Sequence, residues 1–352
     1  MNALLDRPTL LDVPEVAGLD LPKTPPTPDW LDTIGQATVT AAELRTMPVQ
    51  PREALLAKWF LQADLGFIFA PRGVGKTWLT MLIARAIAEG SQAGQWKASK
   101  PRRVLYVDGE MALDLTKQRD LALAPQPSEN LLYLHHEVVF ERTGMVLNLT
   151  APLVQEALVQ HALANRVEVI FLDNLSCLFS GVKENDADSW EQILPWLLQL
   201  RRRRIAVVFV AHAGRNGFMR GTSRREDAAV WILSLSEPAA LTEAASGARF
   251  VARFTKCRNT PSEDAPTLEW HFQRDGTDGV RVSCNPADQL AVFRSWIEDG
   301  LETCGDIASE MGISKGSVSK LAKRAQKAGW LAHKGRRYVL TSPEGQRQPY
   351  AD

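Results

Sequence analysis

Ala70-Pro71-Arg72-Gly73-Val74-Gly75-Lys76-Thr77 closes the apolar run Gly66 to Ala70 and opens a segment in which Leu79, Leu82, Ile83, Ala86 and Ile87 recur on one helical face. A strand that runs through glycines into a helix at Lys-Thr is a cradle for phosphate. The glycines let backbone N–H groups turn inward, the helix start adds a positive dipole, the lysine reaches the outer phosphates and the hydroxyl faces magnesium. Arg72, Gly73, Val74, Gly75, Lys76, Thr77 and Trp78 are therefore the expected nucleotide contacts, with ATP and Mg2+ as the ligands. Ala70 stands where the pattern usually begins with glycine, which tightens the loop slightly and leaves its ion-binding groups intact.

Working outward, such a site needs a carboxylate at the end of a buried strand to hold magnesium through water, and Val169-Ile170-Phe171-Leu172-Asp173 supplies one. Thr77 and Asp173 are the expected metal ligands. Hydrolysis also needs a group that orients or deprotonates water, and Val104-Leu105-Tyr106-Val107-Asp108-Gly109-Glu110 brings two carboxylates to another strand end. Glu110 is the choice, and Asp108 lies too deep.

Apolar runs at 66–70, 104–108, 131–135, 167–173 and 205–211 alternate with helical stretches such as 77–89 and 189–200. That alternation is the pattern of an α/β fold with a mostly parallel twisted sheet and crossover helices. Strands without intervening helices follow at 230–236, 250–256, 267–273 and 279–283, and would extend the sheet. The organisation reads as a Pro-rich extended arm over 1–50 with room for one short helix, a nucleotide-binding domain over 51–285, a small helical domain with a terminal hairpin over 286–342, and a tail over 343–352. The cations Arg201 to Arg204 close a helix, where they complement its dipole.

Composition sets bounds on this reading. Of 352 residues, 45 % are apolar and 23 % charged, as in ordinary globular proteins. The longest clean apolar run, Ile205 to Ala211, is too short to span a bilayer, so no membrane is expected and a cytoplasmic location is. Cys177, Cys257, Cys284 and Cys304 lack metal-ligand spacing. The net charge of zero hides an asymmetry: residues 311 to 340 carry eight Lys and Arg and no Asp or Glu.

Residues 50 to 285 resemble the RepA-type branch of the RecA-like ATPases, the hexameric replicative helicases of plasmids and related mobile elements. The resemblance rests on the phosphate loop with Asp173 and Glu110, on Val207-Val208-Phe209-Val210-Ala211-His212, on Arg220-Gly221-Thr222-Ser223 before Asp227-Ala228-Ala229, and on Phe254-Thr255-Lys256-Cys257-Arg258-Asn259. It implies that Glu110 is the catalytic glutamate and that His212 senses the outer phosphate. It implies that Lys256 and Arg258 enter a neighbouring subunit's nucleotide, and that Arg220, Arg224 and Arg225 lie near a channel for single-stranded DNA. Those roles require a homo-oligomer, a hexamer in the family. Arginine suits the shared position because its charge is permanent and its fork planar.

Residues 290 to 340 resemble a winged helix-turn-helix, with Cys304 to Glu310 as first helix, Met311 to Ser314 as turn and Lys315 to Ala328 as recognition helix. Ala308 allows close approach, Gly312 permits the turn, and Val318 and Leu321 face inward. Lys315, Ser317, Ser319, Lys320, Lys323 and Arg324 then face outward, with Arg336 and Arg337 at the wing, as phosphate contacts for duplex or fork DNA. A protein-docking role fits the same outline. For the whole chain two functions compete: a ring-forming, ATP- and magnesium-dependent DNA helicase or translocase, and an ATP-switched DNA-binding regulator or loader that unwinds nothing.

Overall fold

The computed structural model describes residues 29–181, 187–214, 223–238, 247–261, 264–276, 279–311 and 313–341. The chain forms two compact units, Met1–Pro51 and Arg52–Asp352. In the first, α1 (Trp30–Ala37) is capped by Asp29, whose Oδ1 accepts from Leu31 N at 2.9 Å, and α2 (Ala41–Thr46) by a reciprocal Thr40–Glu43 capping box. Two capped helices thus replace the single short one expected, because Asp29 and the Thr40-x-x-Glu43 signal each satisfy orphan N–H groups. Neither helix buries a residue within its unit.

The second unit begins with a small hairpin, β1 (Ala54–Leu56) and β2 (Phe60–Leu61), before β3 (Leu65–Ala70) and α3 (Lys76–Glu89). A second hairpin, β4 (Gln92–Ala93) and β5 (Trp96–Lys97), precedes β6 (Val104–Asp108), α4 (Leu113–Leu123) and β7 (Leu131–His135). Next come α5 (His136–Thr143), α6 (Pro152–Ala164), β8 (Val169–Asp173), α7 (Leu175–Leu178), α8 (Ala187–Arg202) and β9 (Ala206–His212). After α9 (Ser223–Ala228) the chain runs through β10 (Trp231–Ser236), β11 (Ala248–Cys257), β12 (Leu268–Asp275) and β13 (Gly279–Pro286).

Nine strands form one sheet in the order β13-β12-β11-β10-β3-β9-β8-β6-β7. Pairing is parallel from β10 through β3, β9, β8 and β6 to β7, and antiparallel from β10 to β13. The fold is the α/β class expected from the strand and helix alternation.

The parallel strands are apolar on both faces because both faces are covered. Ile68, Val104, Tyr106, Val169, Phe171 and Val208 join the core beneath α3, while their alternates Phe67, Leu105, Val107, Ile170, Leu172 and Phe209 join the core beneath α6 and α8. Close approach fixes one glycine. A Cβ on Gly66 would lie 2.0 Å from Cζ2 of Trp231, its register partner on β10. Under the antiparallel half, Trp59, Trp96, Trp231 and Trp270 form a chain of indoles with ring centres 4.8 to 5.1 Å apart in sequence of contact. It ties both small hairpins to the sheet, and burial of each large side chain contributes about 2 to 3 kcal/mol.

The remaining elements are α10 (Gln289–Glu298), α11 (Cys304–Met311), α12 (Lys315–Lys327), β14 (Leu331–Lys334) and β15 (Arg337–Leu340). They share their own core, centred on Phe293, Trp296, Ile307, Val318, Leu321 and Tyr338. Ala308 is buried there as expected, while Gly312 lies outside the described residues. Arg253 of β11 joins this core to the sheet: its guanidinium lies 3.3 Å from the ring centre of Trp296 and pairs with Asp299. Among the described residues, no helix is long and apolar enough to cross a membrane.

Candidate nucleotide site

Parallel pairing sends the C-terminal ends of β3, β9, β8 and β6 to one edge of the sheet, so the loop after β3, His212, Asp173 and Glu110 converge from four separate segments. They line a cleft of about 830 Å³ together with Arg72, Gly73, Gly75, Thr77, Trp78, Met111, Arg119, Phe272 and Arg274.

The phosphate loop is shaped by its glycines. Gly73 has φ +80° and Gly75 φ +124°, conformations that L side chains rarely adopt, and a Cβ on Gly75 would also meet the Phe250 ring at 2.7 Å. Lys76 is 7 % exposed, and its Nζ donates to Ala70 O at 3.0 Å and Pro71 O at 2.8 Å. The lysine thus holds its own loop closed over the strand end. Burial lowers its pKa, while Asp173 and Glu110 pull it back up.

Asp173 is held from two sides. Tyr106 donates its hydroxyl to Asp173 Oδ2 at 2.7 Å, and the Thr77 hydroxyl also hydrogen-bonds to this carboxylate. Burial nevertheless pushes the Asp173 carboxyl up to about 6, against these hydrogen bonds, and the charges of Asp108 and Glu110 add to the rise. A buried carboxylate beside two others and a hydroxyl is short of positive charge, and an oxygen donor set of this kind fits a hard cation such as Mg2+. Among the described residues, no group of three or more His, Cys, Asp or Glu could hold a metal by itself, so phosphate oxygens and water would complete the shell.

Asp108 lies as deep as the strand reading requires, 1 % exposed. Its Oδ1 accepts from Glu110 N at 3.1 Å and Met111 N at 3.0 Å, and its Oδ2 from Thr116 Oγ1 at 2.7 Å. These bonds fix the turn that presents Glu110, whose side chain remains half-exposed. Glu110 Oε2 lies 3.7 Å from His212 Nε2. Asn174 sits against both.

Sequence reasoning missed Tyr106, Asn174, Arg119, Phe272 and Arg274. Tyr106 had a readable signal, since alternation places it on the face of Asp108. Arg119 approaches the Trp78 ring at 5.3 Å, while Phe272 and Arg274 arrive from β12, about two hundred residues along the chain, with no local signal.

Other expected residues fall elsewhere. Lys256 donates its ammonium to Glu226 O at the end of α9, whereas Arg258, just past β11, is exposed. Neither lines the cleft of its own chain. Arg220 lies outside the described residues, as do the side chains of Arg224 and Arg225. Lys315, Ser319, Lys320, Lys323, Arg324, Arg336 and Arg337 are exposed and Ser317 is half-buried. Ser319 turns its hydroxyl back to Lys315 O at 2.9 Å, and Arg337 pairs with Glu302 at 3.0 Å.

Comparison with known proteins returns a family model described as an AAA domain, matched by residues 27–217. Among solved structures, the flagellar accessory protein FlaH from Methanocaldococcus jannaschii aligns at 11 % identity and TM-score 0.43, covering 63 % of this chain and 90 % of that one. A KaiC-like protein from Pyrococcus horikoshii OT3 aligns at 11 % identity and TM-score 0.43, covering 64 % and 91 %. No curated protein matches the chain.

Proposed function

Since the chain belongs to the AAA domain family, we propose that it is a RecA-like, ATP- and magnesium-dependent motor that assembles as a ring on DNA, a helicase or translocase of the RepA type. The observation that carries the ATPase reading is the convergence of Lys76, Thr77, Asp173, Glu110 and His212 on one cleft. In this reading the β- and γ-phosphates displace Ala70 O and Pro71 O as partners of Lys76, and the inward N–H groups of the loop fold around them. Thr77 and Asp173 would hold Mg2+, which supplies charge neutralisation between the outer phosphates. Glu110 orients the attacking water and takes its proton, and His212 touches the outer phosphate from the neighbouring strand.

The motor reading adds two elements. Arg258 is exposed at the end of β11, available to a neighbouring copy's site, where its permanent charge would stabilise phosphoryl transfer. The C-terminal helices act as a winged helix-turn-helix, with Lys315, Lys320, Lys323 and Arg324 on the outward side of α12 as phosphate contacts.

ATP turnover measured with and without single-stranded DNA, alongside the mass of the assembly, tests this. A motor turns over faster on DNA and sediments as a multiple of the chain mass. Turnover indifferent to DNA in a monomer would replace the motor with an ATP-switched regulator or loader.

A further inference from the structure

Asn174 follows Asp173 at the end of β8, is 1 % exposed and has no part in the phosphate or metal contacts described above. Its Oδ1 accepts from Cys177 N at 3.1 Å and caps the short helix α7. Its Nδ2 donates to Glu110 Oε2 and lies 3.3 Å from His212 Nε2. An amide nitrogen carries two hydrogens, enough for both partners when the His212 proton sits on Nδ1.

Glu110 needs such a partner. Its side chain is 48 % exposed and extends from a turn, so several rotamers are open to it, and a base that wanders loses most of its effectiveness. We propose that Asn174 is a positioning residue, which holds the Glu110 carboxylate against His212 so that the water-activating group and the phosphate-touching group are set by one buried amide. The proposal rests on the ATPase reading. It makes β8 the source of two functions through adjacent residues: Asp173 for the cation and Asn174 for the base.

The test uses full-length protein carrying Asn174→Ser or Asn174→Thr, each of which keeps a capping oxygen for Cys177 N and is too short to reach Glu110. Each is expected to melt at the wild-type temperature, bind ADP as wild type and keep its KM, while kcat falls roughly tenfold to a hundredfold. In a Glu110→Gln background the same substitutions should change the single-turnover rate by less than about twofold, because the group they act through is gone. A purely structural role would lower the rate equally in both backgrounds. Wild-type kcat in either folded variant, or independent losses in the double variant, overturns the proposal. A wild-type chain that hydrolyses no ATP removes the ATPase reading and this one with it, whereas an active wild type with unperturbed variants removes this one alone.

Discussion

Lys76 illustrates how one side chain serves the fold and the ligand in turn. Burial of its ammonium costs desolvation, offset in part by Ala70 O and Pro71 O, so Lys76→Ala should leave the melting temperature of the nucleotide-free chain within a few degrees while lowering ATP affinity about a hundredfold or more. Calorimetric titration with ATP and Mg2+ measures the loss. His135 makes a second prediction at this scale. Its pKa is lowered chiefly by burial, with Asp108 at 3.9 Å opposing, so the folded chain favours the neutral ring. The stability this contributes is present above the ordinary histidine value of about 6.5 and is lost as pH falls through the lower folded value. Thermal melts should therefore drop between neutral and mildly acid pH, and His135→Gln should flatten that slope. The candidate site was legible where one segment contains its own explanation: Asp173 closes one readable strand, Glu110 follows another, and Lys76 and Thr77 open the helix that a strand reaches through glycines. Asn174 was legible only as a neighbour of Asp173, since its partners Glu110 and His212 lie 64 and 38 residues away.

Among the elements, the strands were the most readable. Continuous apolar runs predict buried parallel strands, and β6 and β7 begin and end where the pattern places them. Helix α4 was not readable, because only Thr116 of its residues is buried and the apolar period that marks a helix is missing. The small hairpins around Trp59 and Trp96 escaped for a related reason, being too short to show alternation. The pairing of β3 with β10 makes the sharpest test of the sheet. Gly66→Ala puts a Cβ inside the Trp231 indole, and the strands must separate to admit it, at a cost of about 3 kcal/mol. A shifted denaturation midpoint with an unchanged slope would measure it. The same substitution combined with Trp231→Phe should recover part of the loss.

At the scale of the molecule, the decisive question is whether the nucleotide site is complete in one copy. If Arg258 serves a neighbour, turnover per subunit rises with protein concentration, and Arg258→Ala lowers hydrolysis far more than ATP affinity. Mixing Lys76→Ala subunits, which keep Arg258, with Arg258→Ala subunits, which keep the phosphate loop, should then restore activity. No rescue, with normal turnover in Arg258→Ala, would mean a self-sufficient site. The proposed DNA contacts are tested by substitution, because Arg253 is buried against Trp296 and Asp299, and removing the C-terminal helices would strand its charge. Lys320→Ala with Lys323→Ala should reduce the salt slope of duplex binding by about 2 while leaving basal turnover unchanged. An undiminished slope would recast α12 as a protein-docking surface. The chain of indoles from Trp231 through Trp59 and Trp96 to Trp270 has an optical consequence. Transitions of chromophores held this close and at fixed angles mix, which gives the folded chain a paired dichroic band of opposite signs, from the intense indole transition at the edge of the far ultraviolet, that separate tryptophans lack. Each variant above that keeps all four indoles can be checked by that signal, with no label attached, for whether the antiparallel half of its sheet is still locked.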